Sequence, residues 1–218
     1  MKIGIDFSLN SPAVTIKNDN GTYEFISFFN FDNRDWNMRI LQDKIPMSFG
    51  LHKELMLSKT IHIFPYNRNV KSKLFQERER EKMTDANMIS DLIIDALKKH
   101  IKSNDINIGL EGFSYGSSGN SFIDIIQYNT YLRYKLLTEF GIDNVSFYQP
   151  SHVKKLAGKG NANKFFMVKA FQDNVLNDKD LKQTKLWNYV KDKDYSKKIP
   201  KPLDDIIDSY FILNCNID

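Results

Sequence analysis

A single cysteine, Cys215, excludes an internal disulfide and any multi-cysteine zinc site. The four histidines are scattered without metal-ligand spacing, so any bound metal is expected to rest on carboxylates. Long apolar runs are also missing. Nothing approaches the roughly 18 uninterrupted apolar residues of a membrane span, and residues 1–6 carry neither a secretory apolar core nor a cleavage site. A cytoplasmic location is the expectation. With 41% hydrophobic and 27% charged residues, the chain fits neither a disordered nor a fibrous composition, and 218 residues suit one domain with its own core.

Charge is unevenly placed. Residues 1–149 carry 18 basic and 18 acidic side chains, residues 150–201 carry 13 and 5, and residues 202–218 carry 0 and 4. A basic segment leading into an acidic one suits a polyanion held beside a carboxylate-bound cation, although a solvated lysine face gives the same counts.

Alternation of Ile3, Ile5 and Phe7 with Lys2, Gly4 and Asp6 predicts an opening strand on which Asp6 faces away from the isoleucines. Strands over 13–17 and 23–29 follow, joined through a turn at Asn18-Asp19-Asn20-Gly21. Residues 30–80 show no sustained period and are left unassigned. Thr84 then caps a helix patterned by Ile89, Leu92, Ile93, Ala96, Leu97 and Ile101. Ile106, Ile108 and Leu110 alternate into Glu111 at the end of a fourth strand, before the loop Gly112-Phe113-Ser114-Tyr115-Gly116. A helix closed by Gly141, a fifth strand over 145–148, a helix over 162–174 and a final amphipathic helix from Leu203 complete the reading. The expected fold is α/β: a mixed five-stranded sheet, its first three strands antiparallel and its last two parallel, flanked by helices.

Three elements supply acids: Asp6 on the first strand, Glu111 at the end of the fourth, and Asp204, Asp205 and Asp208 in the last helix. A right-handed crossover would set the fourth strand parallel beside the first and bring Asp6 near Glu111. Asp205 and Asp208 are three apart and Asp204 and Asp208 four apart, so either pair shares a helix face. Each acid alone reads as a cap or surface charge. Together they form an oxygen-only donor set that suits magnesium or manganese.

Four segments taken together resemble the RuvC-like Holliday junction resolvases, and their bacteriophage members most: Ile3-Gly4-Ile5-Asp6-Phe7-Ser8-Leu9, Ile108-Gly109-Leu110-Glu111, the run from Val153 through Gly158-Lys159-Gly160 to Lys164, and Asp204-Asp205-Ile206-Ile207-Asp208-Ser209. They occur in the family's order. The resemblance implies a ribonuclease H-like fold and a homodimeric, magnesium-dependent endonuclease of DNA recombination and repair that cleaves branched DNA. It implies Asp6, Glu111, Asp205 and Asp208 as ligands of two Mg2+ ions (Mn2+ substituting), and Lys164 as the basic residue near the scissile phosphate. Lys154, Lys155, Lys159 and Lys164 would bind DNA, with Phe113 or Tyr115 at the junction. The chain departs from the family at Ser8-Leu9-Asn10-Ser11-Pro12, where a glycine is usual, residues 30–80 look like a segment added to the single family domain, and Phe113 and Tyr115 straddle the position of the family's aromatic wedge. The rival readings are a branched-DNA-binding protein of the same fold with weak or no catalysis, and an actin-like ATPase. The second lacks its glycine-rich phosphate loops here.

Overall fold

Period-two patterning builds the centre of the sheet. In the computed structural model, which describes residues 1–30, 61–113, 119–192, 194–195, 199 and 201–217, β1 (Lys2–Asp6), β2 (Ala13–Lys17) and β3 (Tyr23–Asn30) form an antiparallel meander. Gly21 takes the positive φ of +87° that the turn between β2 and β3 requires. β5 (Asn107–Glu111) lies parallel to β1, and β6 (Val145–Tyr148) parallel to β5. This order, an antiparallel meander followed by two parallel strands, is the one the sequence predicts.

The sheet has six strands rather than five, in the order β4-β3-β2-β1-β5-β6. The additional β4 (Ile61–Tyr66) runs parallel along the free edge of β3. It escaped the sequence reading because Pro65 interrupts a short, mixed run; an edge strand tolerates proline where a central one does not.

Two layers of helices cover the sheet. On one face α1 (Phe75–His100) and α2 (Asn120–Phe140) pack over Ile3, Ile5, Val14, Ile16, Ile26, Phe28, Ile108 and Leu110. α1 starts well before the expected cap at Thr84, whose Oγ1 instead donates to the Arg80 carbonyl at 3.1 Å inside the helix. Its first turns, Gln76 to Lys82, are polar and show no apolar period, so periodicity alone cannot see them. α2 ends at Gly141, as the sequence predicts.

On the opposite face lie α3 (Pro150–Lys155), α4 (Lys164–Val175), α5 (Lys179–Lys182), α6 (Lys185–Val190) and α7 (Leu203–Asn214). α7 buries Leu203, Ile206, Ile207, Tyr210 and Phe211 among Ala13, Phe25, Phe171 and Val175. At about 1.5–3 kcal/mol for each large apolar side chain, this burial fixes α7 across β1 and β2.

Two glycines set how closely it lies. Gly4 pairs with Gly109 across β1 and β5. A Cβ on Gly4 would stand 2.1 Å from the Ser209 carbonyl oxygen and 2.3 Å from the Leu213 nitrogen, and one on Gly109 would stand 3.0 Å from the Asn216 side chain. The backbone of α7 therefore rests directly on the sheet. Thr15 Oγ1 and Ser209 Oγ share a buried 2.7 Å hydrogen bond that pins it there.

The fold also gathers residues that the sequence scatters. His62 of β4 and His100 at the end of α1, too far apart in the sequence to suggest a metal motif, come together with their rings 4.3 Å apart. No helix among the described residues is long and apolar enough to cross a membrane.

Candidate functional site

Asp6 closes β1 on the α7 face, opposite Ile3 and Ile5, because side chains alternate along a strand. The β1–β5 register pairs Ile5 with Leu110, and one more step sets Asp6 beside Glu111 at the same end of the sheet. α7 lies over that end and carries Asp204 and Asp205 in its first turn and Asp208 one turn later. Asp204 and Asp205 are buried, whereas Asp6, Glu111 and Asp208 keep partial exposure.

The electrostatics show which acids face each other. The Asp6 carboxyl is held well above the usual carboxylate range, first by burial and then by the charges of Asp208, Asp205 and Glu111; Lys201 opposes them. Asp208 is pushed up to about 7 by burial and Asp205, with Lys164 acting against and Glu111 and Asp204 adding to the rise. Asp205 is pushed up to about 6 by burial and Asp204, and is relieved by Lys201 and Ser11. Burial raises Glu111, and Lys154 lowers it. Asp6 thus feels Asp205, Asp208 and Glu111 as one group.

Asp204, which also bears on Asp205 and Asp208, is held by lysines. It forms an ion pair with Lys164 and a second with Lys201 at 3.1 Å. The sequence reading left Asp204 and Asp205 as rivals and named a lysine partner as one fate for Asp204; that pairing is present. Asp205 accepts a 2.7 Å hydrogen bond from Ser11 Oγ and an ion pair from Lys201. Ser11 lies in the loop between β1 and β2, so that loop supplies the hydroxyl that orients the Asp205 carboxylate.

Lys201 was not singled out from the sequence. Only its spacing to Asp204 and Asp205 within a lysine-rich run marks it, and that signal is common in solvated segments. Arg133 was missed too. It donates from Nη2 to the Glu111 carbonyl at 3.4 Å and from Nε to Asn129 at 2.7 Å, and its guanidinium lies 4.1 Å from the centre of the Phe113 ring. Phe113 is therefore stacked on a cation beside Glu111, and Tyr115 lies outside the described residues.

Of the predicted basic residues, Lys154 and Lys164 lie beside the acids. Lys154 sits on α3 near enough to Glu111 to act on its charge. Lys155, Lys159 and Lys164 are exposed, and the Lys159 ammonium lies 3.7 Å from the centre of the Phe166 ring. Gly158 adopts a φ of +109° in the loop between α3 and α4, which a side-chain-bearing residue takes only under strain.

The donor set suits a hard divalent cation: four carboxylates, mutually repelling and partly desolvated, with no imidazole or thiolate among them. No three of the described acids offer oxygens all within 4.8 Å of one another.

No family model and no curated protein matches the chain. Among solved structures it is similar to Holliday junction resolvases. Thermus thermophilus RuvC aligns at 14% identity and a TM-score of 0.46, over 96% of this chain and 90% of that one. T. thermophilus RuvC in complex with Holliday junction substrate aligns at 13% and 0.46, over 100% and 96%. The yeast mitochondrial Holliday junction resolvase Ydc2 aligns at 13% and 0.47, over 97% and 75%.

Proposed function

We propose that the protein is a divalent-metal-dependent endonuclease that cleaves branched DNA, four-way junctions and forks, by phosphodiester hydrolysis. The observation that carries this reading is the like-charged group of Asp6, Glu111, Asp205 and Asp208, drawn from β1, β5 and α7 to one end of the sheet beside Lys154, Lys164 and Lys201. Like charges that raise one another's proton affinity cost stability, and a site built on them serves a cation.

Two Mg2+ ions held by these four residues would supply an activated water and stabilise the leaving 3′-oxygen. The chain's own groups do the rest. Ser11 and Lys201 fix the Asp205 carboxylate, and Lys164 sits beside Asp204 with its side chain 57% exposed, free to exchange that carboxylate for a phosphate oxygen. Lys154, Lys155 and Lys159 would track the DNA backbone, and the Gly158 turn exposes main-chain amides to it. A four-way junction offers two symmetry-related scissile phosphates, which suits a homodimer.

A second reading rests on Lys201. Its ammonium already neutralises Asp205, and a protein in which it stays there binds branched DNA without cutting it. Labelled four-way junction, fork, flap and duplex DNA incubated with Mg2+ separate the two. Cuts at the branch point that vanish in Asp6→Asn support the nuclease; branch-selective binding without cuts supports the second. Lys154→Ala and Lys155→Ala should weaken binding to all DNA and flatten its salt dependence, whereas Lys164→Ala should lower the cleavage rate more than binding.

A further inference from the structure

We propose that Glu24, His62 and His100 form a second metal site, selective for a transition cation of the Zn2+ class and separate from the carboxylate cluster. Among the described residues this is the one group that brings three ligand atoms within 4.8 Å of one another. Glu24 lies on β3, His62 on the neighbouring β4 and His100 at the end of α1. The β3–β4 register sets His62 opposite Ile26, hence on the same face as Glu24 and under α1.

Glu24 Oε2 stands 2.7 Å from His100 Nδ1 and 3.5 Å from His62 Nε2. Tetrahedral Zn2+ with bonds of about 2.0–2.1 Å separates its ligand atoms by about 3.3 Å, so only small movements would seat an ion. The other carboxylate oxygen accepts a 2.9 Å hydrogen bond from Asn18 Nδ2, which leaves Oε2 facing the two imidazoles. Such an outer partner is what orients a metal ligand. His62 Nε2 is buried and makes no hydrogen bond, an unmet polar group that a cation would satisfy.

The chemistry distinguishes the two centres. Imidazole draws Zn2+, Co2+ or Ni2+, whereas the oxygen-only set draws Mg2+ or Mn2+. A cation here would tie the edge strand β4 to β3 and to the end of α1.

Metal-stripped protein titrated with Zn2+ in millimolar Mg2+ tests the site, the Mg2+ saturating the carboxylate cluster. The expected result is one Zn2+ per chain, a raised melting temperature, and, with Co2+ in place of Zn2+, the visible absorption of a tetrahedral nitrogen–oxygen site. His62→Gln and Glu24→Gln should each weaken Zn2+ binding more than about tenfold, while Asp205→Asn leaves it unchanged. Absence of Zn2+ binding to the wild-type chain overturns the proposal without reference to any variant. Zn2+ binding that survives His62→Gln and Glu24→Gln, or that disappears with Asp205→Asn, overturns it equally.

Discussion

Replacing Asp208 with asparagine should stabilise the metal-free protein while abolishing cleavage. Asp208 titrates near 7 against an ordinary value of 3.8, raised by burial and by Asp205, Glu111 and Asp204. Because the folded state holds the proton more tightly than the unfolded chain, this group's contribution is favourable below about pH 4 and is lost as pH rises through about 7. The full displacement corresponds to about 4 kcal/mol at neutral pH. Desolvating an amide in the same place costs about 1–3 kcal/mol. The net gain is therefore about 1–3 kcal/mol, or about 2–12 °C in melting temperature for a chain of this size. Thermal melts in EDTA at pH 5 and pH 8 should show the wild type losing stability toward pH 8, and Asp208→Asn losing less. Mg2+ should restore the wild type and do little for the variant. Equal wild-type and variant melting temperatures at both pH values would refute the claim that these carboxylates repel one another in the folded state.

Three further outcomes test how the site is built. Gly4→Ala should destabilise by about 1–3 kcal/mol or more and abolish cleavage, since its Cβ meets backbone atoms of α7 at 2.1 and 2.3 Å; a normal melt and normal activity would show that the contact is soft. Asp85→Ala should cost about 3–5 kcal/mol in chemical denaturation, because it strands Arg68, paired at 2.9 Å, and removes the acceptor of a 2.8 Å hydrogen bond from Tyr128. Asp205→Asn should eliminate Mg2+-dependent cleavage while Asp204→Asn retains part of it; the reverse order would move the ligand by one residue.

The strands that carry the site were legible because their signals are local. Ile3 and Ile5 alternate with Asp6, Ile108 and Leu110 alternate with Glu111, and α7 shows a clean apolar stripe below its acids. What escaped depends on contacts between distant segments. β4 is defined by pairing with β3 rather than by its own pattern, and the first turns of α1 are polar on every side. The lysine partners of Asp204 come from the start of α4 and from the residue before Pro202, a choice only the packing of α7 makes. His62 and His100 look unrelated in the sequence and meet because β4 and the end of α1 both border Glu24. Gly4 reads as an ordinary strand glycine until α7 is seen resting on it.

The central claim is that Asp6, Glu111, Asp205 and Asp208 act as one metal centre on branched DNA. The most direct measurement is single-turnover cleavage of an end-labelled four-way junction in Mg2+ by the wild type and by each of the four asparagine or glutamine variants, with binding followed in parallel. Paired cuts at the branch by the wild type, with every variant binding the junction but cutting at least about a hundredfold more slowly, is the result this account predicts. A wild type that binds the junction but leaves it intact in both Mg2+ and Mn2+, or a variant that cuts at the wild-type rate, would contradict it.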